Sequence, residues 1–476
     1  MEDQYQKPVL GQARKRRGNE TQTFTYEEKS IYAGMGNGKH YYIQTHGCQG
    51  NEADSEKLKG LLESVGYVET MDEEIADLVI INTCAIREHA EAKVFGEIGR
   101  FKKRRRENKD FILAIGGCMS QEEVVVERLL KTYRHVDIIF GTHNLHRLLE
   151  FIHVVMVEKR RVVEVLSVEG DIVENVPTAR DSRFKAWVNI MYGCDEFCTY
   201  CIVPYTRGKE RSRRPHHILE EIHNLANQGY QEVTLLGQNV NSYGLDLDDG
   251  SYGFAELLEA IQHISIPRVR FTTSHPKDFS DKLIEVLSRK GNLMPYIHLP
   301  VQSGSNVILE RMNRKYTQEE YRLLVQKIRN AIPDVSITTD IIVGFPGETE
   351  EDFENTLNLV EQCGFEGAYT FIFSPRAGTP AAKYPDTLSM AEKKRRLLTL
   401  NQLVNEGFAK GNQRFLGETV EVLIEGPSKT DPNTWSGYTP HNKLVHVKNG
   451  ESYVGKRVFV KINVAKTWSL EGEICG

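Results

Sequence analysis

Residues 193–201 read Gly-Cys-Asp-Glu-Phe-Cys-Thr-Tyr-Cys and put three cysteines, Cys194, Cys198 and Cys201, on one short loop. Three thiolates so close in sequence form a metal-binding set. A tetrahedral zinc site asks for four nitrogen or sulfur ligands, usually in two pairs, whereas this loop offers three soft ligands with only His216 and His217 downstream. Three cysteines suit an iron–sulfur cube with one iron left open, its potential kept low by thiolate ligation and burial. A zinc knuckle, or a chance grouping of buried cysteines, is the alternative.

At 476 residues the chain is long enough for two or three domains, and 40% hydrophobic residues are ample for their cores. The formal net charge of −6 neither demands nor excludes a nucleic-acid partner, so local clusters must decide. Eight cysteines without a signal-like apolar region near Met1 imply a reducing cytoplasm in which thiols serve as ligands. No apolar run approaches the roughly 20 residues that span a bilayer, so no membrane association is expected.

Residues 1–38 are polar, carry the basic run Arg14-Lys15-Arg16-Arg17, and read as a mobile tail. From 39 to 157 the pattern changes. Apolar runs at 41–45, 78–83, 111–116 and 137–140 predict strands, and amphipathic stretches at 52–65, 87–105, 121–131 and 145–154 predict helices. This alternation implies an open parallel α/β domain with helical crossovers. Each of the first three strands runs almost at once into a cysteine: Cys48 after Gly47, Cys84 after Thr83, and Cys118 after Gly116 and Gly117. Ligands of open α/β sheets sit beyond the carboxyl ends of the strands, so three thiols remote in sequence can converge on one point. The plainer reading, small buried residues at loops, suits one such cysteine better than three at equivalent positions. Only Cys363 and Cys475 fall outside the two trios.

Between 158 and 181 the chain is charged, weakly periodic and interrupted by Pro177, which marks a domain boundary. The next domain, 180–412, predicts strands at 185–191, 232–237, 268–273, 296–299, 336–343 and 368–373. Helices are predicted at 218–228, 254–264, 281–288, 317–332 and 350–363, with Thr317 and Glu320 spaced as a capping box. Six strand–helix units make an incomplete (β/α)6 barrel, whose chemistry is built at the carboxyl ends of its strands. The three-cysteine loop follows the first strand. Polar groups follow the others: Gln238 and Asn239 after the second, Ser274 after the third, and Gln302 after the fourth. Asp340, Gly344 and Glu348 belong to the fifth, where Gly-Phe-Pro-Gly lets the backbone approach a ligand closely. A helical run leads out of the barrel, and 413–476 is valine-rich and β-like. It predicts a small antiparallel five-stranded β-barrel bearing Trp435, Tyr438, His441, Lys443, His446 and Trp468. Small barrels with aromatic and basic groups on one face read nucleic acids; a merely stabilising β-domain is the alternative.

Basic charge gathers twice. Lys102–Arg106 ends a predicted helix, where the helix dipole favours cations. Arg207, Lys209, Arg211, Arg213 and Arg214 lie just beyond the three-cysteine loop, and no helix end explains them. They predict phosphates passing close to the reacting centre, and so a polynucleotide substrate.

Thr-His-Gly-Cys-Gln-Gly-Asn at 45–51, Asn-Thr-Cys-Ala-Ile-Arg at 82–87, Gly-Gly-Cys at 116–118, the stretch 192–214 and Gly-Phe-Pro-Gly-Glu at 344–348 together resemble the radical S-adenosylmethionine (SAM) methylthiotransferase family. The likeness runs from about His40 to Glu473. It implies two 4Fe-4S clusters, one on Cys194, Cys198 and Cys201 binding SAM through its open iron, and an auxiliary one on Cys48, Cys84 and Cys118 that presents sulfur. It also implies that Gln238, Asn239, Ser274, Gln302, Asp340, Gly344 and Glu348 contact SAM, and that the terminal barrel is an RNA-binding TRAM domain. The Cys-Thr-Tyr-Cys-Ile-Val-Pro-Tyr-Thr-Arg-Gly run is most similar to the branch that methylthiolates carbon 2 of N6-isopentenyladenosine at tRNA position 37. One SAM would donate a methyl group and another the deoxyadenosyl radical. The implied partners are a tRNA anticodon stem-loop and an electron donor such as flavodoxin or ferredoxin. Gly50 departs from the pattern, which has methionine there. Two other functions stay open: a sister methylthiotransferase acting on threonylcarbamoyladenosine or a ribosomal-protein aspartate, and a zinc-containing RNA-binding protein without enzymatic activity.

Overall fold

The computed structural model describes residues 21–85, 88–166, 170–247, 252–289 and 291–475, with 88–92 described by backbone alone. The chain forms two compact units. One reaches to Asp181 and takes in Met191–Phe197 and Cys201–Arg213; the other comprises Ser182–Ile190, Cys198–Tyr200 and the chain from Arg214 onward.

The first unit is built on a six-stranded parallel sheet in the spatial order Val68–Glu69, His40–Thr45, Leu78–Thr83, Ile112–Gly117, Ile138–Phe140, Val162–Glu164. The two central strands are buried along their whole length, which explains why Leu78–Thr83 and Ile112–Gly117 read as continuous apolar runs: helices cover both faces. Helices Gln49–Ser64 and Leu148–Glu158 bury Leu58, Leu61, Phe151 and Ile152 against Leu78, Ile80 and Ala114. Helices Glu88–Glu107 and Glu123–Thr132 bury Phe95, Ile98, Val126 and Leu129 against the alternate residues Val79, Ile81 and Leu113.

One expectation needs correction here. Residues 21–38 are not a tail: Thr23–Thr25 pairs in parallel with Ile172–Glu174, and Tyr32 is buried in the core. The basic run 14–17 lies outside the described residues. The boundary stretch 158–181 is itself structured: Val162–Glu164 is the sixth sheet strand and the Ala179 amide donates to the Glu56 carbonyl at 2.9 Å. Strands of three residues are too short to show a period, and their partners lie far off in sequence.

In the second unit six parallel strands follow one another in chain order. Lys185–Asn189, Glu232–Leu236 and Arg268–Phe271 form one trio; Tyr296–His298, Ser336–Val343 and Ala368–Ile372 form the other. Between the trios a single parallel bridge joins Val269 to Leu293. The first and last strands do not pair among the described residues, so the barrel is incomplete. Helix Met390–Gln413 covers the outer face of the last strand, where the Thr370 hydroxyl donates to Asn401 at 2.5 Å.

Strands Thr419–Pro427, Trp435–Tyr438, Leu444–Val447, Leu470–Cys475 and Arg457–Ala465, in that spatial order, close a small barrel over Val422, Ile424, Val445, Val460 and Ile462. The sequence predicts an antiparallel barrel, but one of its pairings is parallel. Leu470–Cys475 returns between the third and fourth strands and pairs in parallel with Leu444–Val447. This barrel seals the amino-terminal ends of the large barrel's strands. The Arg268 guanidinium donates to Glu421 at 2.8 Å and to the Tyr438 carbonyl at 2.9 Å, and Arg270 donates to the carbonyls of Thr439 and Pro440 at 2.7 and 2.8 Å. Lys443 pairs with Glu366 at 2.9 Å and His441 lies 3.3 Å from Asp334. Of the six aromatic and basic residues expected on a nucleic-acid face, Tyr438, His441 and Lys443 are thus engaged in packing, while Trp468 is 66% exposed. No described helix is long and apolar enough to cross a membrane.

Candidate functional site

Three adjacent strands of the parallel sheet, His40–Thr45, Leu78–Thr83 and Ile112–Gly117, deliver Cys48, Cys84 and Cys118 to one end of the first unit. Cys48 is exposed and opens helix Gln49–Ser64, whereas Cys84 and Cys118 are buried directly after their strands. Glycine precedes two of them for a physical reason. Gly47 and Gly117 have φ of +126° and +93°, and a Cβ on Gly47 would stand 2.9 Å from the Cys84 Cβ, while one on Gly117 would collide with Asn82 and the Thr83 carbonyl.

Asn51 ties the three loops together. Its Oδ1 lies 3.7 Å from the Cys48 sulfur and 3.9 Å from that of Cys118, and its Nδ2 donates to the Thr83 carbonyl, next to Cys84, at 2.7 Å. Asn82 donates back to the Asn51 carbonyl and to Ser55, both at 2.9 Å, and the Thr83 hydroxyl donates to the Gly116 carbonyl at 2.6 Å. Burial pushes the Cys118 thiol up to about 12; Arg207 opposes this, and the neighbouring Cys84 and Cys48 reinforce it. Among the described residues no three Cys, His, Asp or Glu side chains are gathered tightly enough for a single metal ion. A four-iron cube spreads three ligands over separate corners and asks for a wider triangle. Three soft sulfurs, mutually repulsive when ionised and partly sunk in protein, fit such a group, whose positive irons hold thiolates.

The basic stretch after the three-cysteine loop contradicts its expected role. Arg207 is buried, with Nη2 2.7 Å from Asp54 and 3.1 Å from the Asn51 Oδ1 it donates to, and with Nε donating to the Cys118 sulfur at 3.3 Å. Arg213 is buried against Glu174, its Nε donating at 2.9 Å, and Arg211 donates to the Arg207 carbonyl at 3.0 Å. Lys209 and Arg214 are half-buried. Three of the five cations expected to meet phosphates are internal, because carboxylates and carbonyls remote in sequence claim them.

The other thiol trio lies on the loop after the first barrel strand. Cys198, in the second unit, is buried; Cys194 and Cys201, in the first, are half-buried. The Cys194 amide donates to the Gly208 carbonyl at 3.1 Å, closing a hairpin in which Met191 and Tyr192 pair with Ser212 and Arg211. Cys198 has its own buried arginine. Arg314 donates to the Cys198 sulfur at 3.5 Å, to the Pro300 carbonyl at 2.9 Å and to the Tyr316 hydroxyl at 2.8 Å. Nothing in the sequence singled out Arg314, which lies more than a hundred residues downstream.

The expected SAM-contacting residues divide into two groups. Asn239 and Ser274 are buried behind the second and third strands, and among the described residues the Asn239 Oδ1, the Ser274 hydroxyl and both amide atoms of the unforeseen Asn241 have no partner. Orphaned buried polar atoms cost about 1–3 kcal/mol each, so this cluster suits a polar ligand such as SAM. Gln238 beside them is half-buried. Gln302, at φ +72°, exchanges backbone hydrogen bonds with Asp340 and Ile342, and the half-buried Asp340 carboxylate lies 3.3 Å from His298. Gly344 and Glu348 take part in packing. The buried Glu348 accepts from the Gly344 amide and from Arg396, both at 2.7 Å, and a Cβ on Gly344 would strike Lys393. At Gly344 the backbone approaches helix Met390–Gln413 closely.

Three family models match: the radical SAM superfamily over 188–360, the uncharacterized protein family UPF0004 over 40–141 and the TRAM domain over 413–475. The radical SAM methyltransferase TsrM of Kitasatospora setae, solved with cobalamin and a [4Fe-4S] cluster, shares the fold, with a TM-score of 0.54 at 16% identity over 72% of this chain and 77% of that one. The radical SAM match makes this a radical SAM enzyme, a class whose cofactors are SAM and a 4Fe-4S cluster. The tRNA-2-methylthio-N(6)-dimethylallyladenosine synthase of Oceanobacillus iheyensis is 57% identical over 98% of this chain and 90% of its own, and that of Bacillus subtilis is 55% identical over 99% and 93%. The chain belongs to the tRNA-2-methylthio-N(6)-dimethylallyladenosine synthase family.

Proposed function

We propose that this chain methylthiolates carbon 2 of N6-isopentenyladenosine at position 37 of tRNA, using one SAM for methyl transfer and one for radical generation. The observation that carries this reading is a second thiol set, Cys48, Cys84 and Cys118, gathered around Asn51. The names of the relatives support the substrate. Cys194, Cys198 and Cys201 hold the SAM-binding cluster, and Cys48, Cys84 and Cys118 hold an auxiliary one. When bound, these groups supply the radical chemistry and the sulfur, which are needed because an adenine C2–H is too weakly acidic for a side-chain base. The protein's own tasks are to bind and to orient. Arg314 fixes the Cys198 sulfur, while Asn239, Asn241 and Ser274 offer hydrogen bonds to SAM. The substrate is an anticodon stem-loop, whose target base must leave its stack to expose C2. The small barrel's exposed Trp468 offers a stacking surface for RNA. A flavodoxin or ferredoxin supplies electrons, and the setting is the cytoplasm.

The test is mass spectrometry of nucleosides after anaerobic incubation with SAM, a reductant and tRNA bearing either isopentenyl- or threonylcarbamoyladenosine. The methylthio product should form only from the isopentenyl substrate. Cys198→Ala should abolish SAM cleavage, whereas Cys84→Ala should retain some cleavage and lose the product. Product from the threonylcarbamoyl substrate alone would assign the sister activity, and a colourless protein with stoichiometric zinc would refute enzymatic function.

A further inference from the structure

A buried cation without an evident task stands beside the auxiliary thiols. Arg207 is 6% exposed and its guanidinium has three partners: Asp54 at 2.7 Å, the Asn51 Oδ1 at 3.1 Å and the Cys118 sulfur at 3.3 Å. Its backbone is equally fixed, the amide donating to the Val203 carbonyl at 2.8 Å and the carbonyl accepting from Arg211 at 3.0 Å. Around the Cys118 sulfur lie Ala85, Ile202 and Tyr205, an apolar shell that screens it from water. A guanidinium is an expensive filler for such a place, since burying a charge costs several kcal/mol unless it is paired and hydrogen-bonded. Asp54 provides the pairing and Asn51 the orientation. Together they leave Nε–H aimed at sulfur.

We infer that Arg207 is a positioning residue of the auxiliary site, one that donates a charge-assisted hydrogen bond to the Cys118 thiolate and so raises the reduction potential of the cluster that Cys48, Cys84 and Cys118 hold. The inference rests on the auxiliary-cluster reading above. Its physical basis is general. Three thiolates bring net negative charge to a partly buried cluster, reduction adds another, and a donor aimed at a ligand sulfur stabilises the more negative state. The guanidinium stands between the carboxylate and the sulfur, so the cation is the nearer charge to Cys118. Arginine suits the task better than lysine because one planar fork serves Asp54, Asn51 and sulfur together, where an ammonium is a point charge.

The experiment uses the full chain with Cys194, Cys198 and Cys201 changed to alanine, so that only the auxiliary cluster can load. After anaerobic reconstitution with iron and sulfide, iron per chain and the midpoint potential are measured by a titration followed by electron paramagnetic resonance. With Arg207 intact, one four-iron cluster per chain is expected. Arg207→Met should load a cluster of lower midpoint potential that loses iron faster to a chelator, and Arg207→Lys should fall between. Because Arg207→Met strands Asp54, the double variant Arg207→Met with Asp54→Asn keeps the interior neutral and should show the same lowered potential. An unchanged potential and spectrum in Arg207→Met, or in the double variant should the single one not fold, overturns the inference. If the parent with Arg207 intact loads no cluster, it is the auxiliary-cluster reading that falls.

Discussion

Asn51 carries no charge and holds no metal, yet it reaches all three loops of the auxiliary site. Asn51→Leu would strand the Thr83 carbonyl and one Arg207 donor, each orphan costing about 1–3 kcal/mol. The urea midpoint should fall accordingly, and, on the two-cluster proposal, reconstituted protein should lose about half its iron. Iron analysis beside urea denaturation checks both. The cysteines themselves were legible because each follows a predicted strand. Asn51 was visible only as a motif letter, since an uncharged side chain declares nothing until its partners Thr83 and Arg207, 32 and 156 residues away, are in place. Arg207 and Arg213 were misread for the same reason: charge density is local in sequence, but Asp54 and Glu174, which neutralise them, are not.

Helix Gln49–Ser64 links the auxiliary site to the fold: Cys48 caps its start, and residues 177–181 are strapped across its middle. Lys59 pairs with Asp181 at 2.5 Å, the Asp181 amide donates to Glu56 at 3.1 Å, and Gly60 faces Pro177 so closely that a Cβ would enter the peptide that joins it to Thr178. Alanine at 60 would gain about 1 kcal/mol of helix propensity. Displacing the strap costs about 1–3 kcal/mol. Because backbone cannot yield as a side-chain tip can, the clash should win, and Gly60→Ala should lower the thermal midpoint despite its favourable propensity. Elements with a strong period were legible: Ser336–Val343, Asp281–Ser288 and Glu350–Cys363 lie where their patterns put them, and the Thr317–Glu320 capping box is present with amide–side-chain contacts of 3.2 and 2.8 Å. Thr23–Thr25 and Ile172–Glu174 were not, because pairing across about 150 residues between two three-residue strands leaves no periodic trace.

At the scale of the molecule, the order of sheet, large barrel and small barrel follows from the alternation of patterns, but the seating of the small barrel under the large one does not. That seating depends on Arg268, fully buried between Glu421, Glu232 and the Tyr438 carbonyl. Arg268→Ala would orphan the Tyr438 carbonyl and leave Glu232 to Arg270 and Lys185 and Glu421 to Arg457, a loss of about 1–3 kcal/mol for the stranded buried acceptor. A calorimetric scan should show the large barrel melting earlier together with the small one; an RNA-binding module merely tethered to the enzyme would leave that transition in place. Sequence cannot display this dependence, since Arg268 and Arg270 look like ordinary strand cations until carbonyls at 438–440 meet them. The strand order of the small barrel has a consequence for biosynthesis. Because Leu470–Cys475 slots between two earlier strands, the ring stays unclosed until those residues have emerged from the ribosome. Until then, the cations beneath the large barrel face an unclosed ring, so maturation of this unit waits for residues 470–475 to be made.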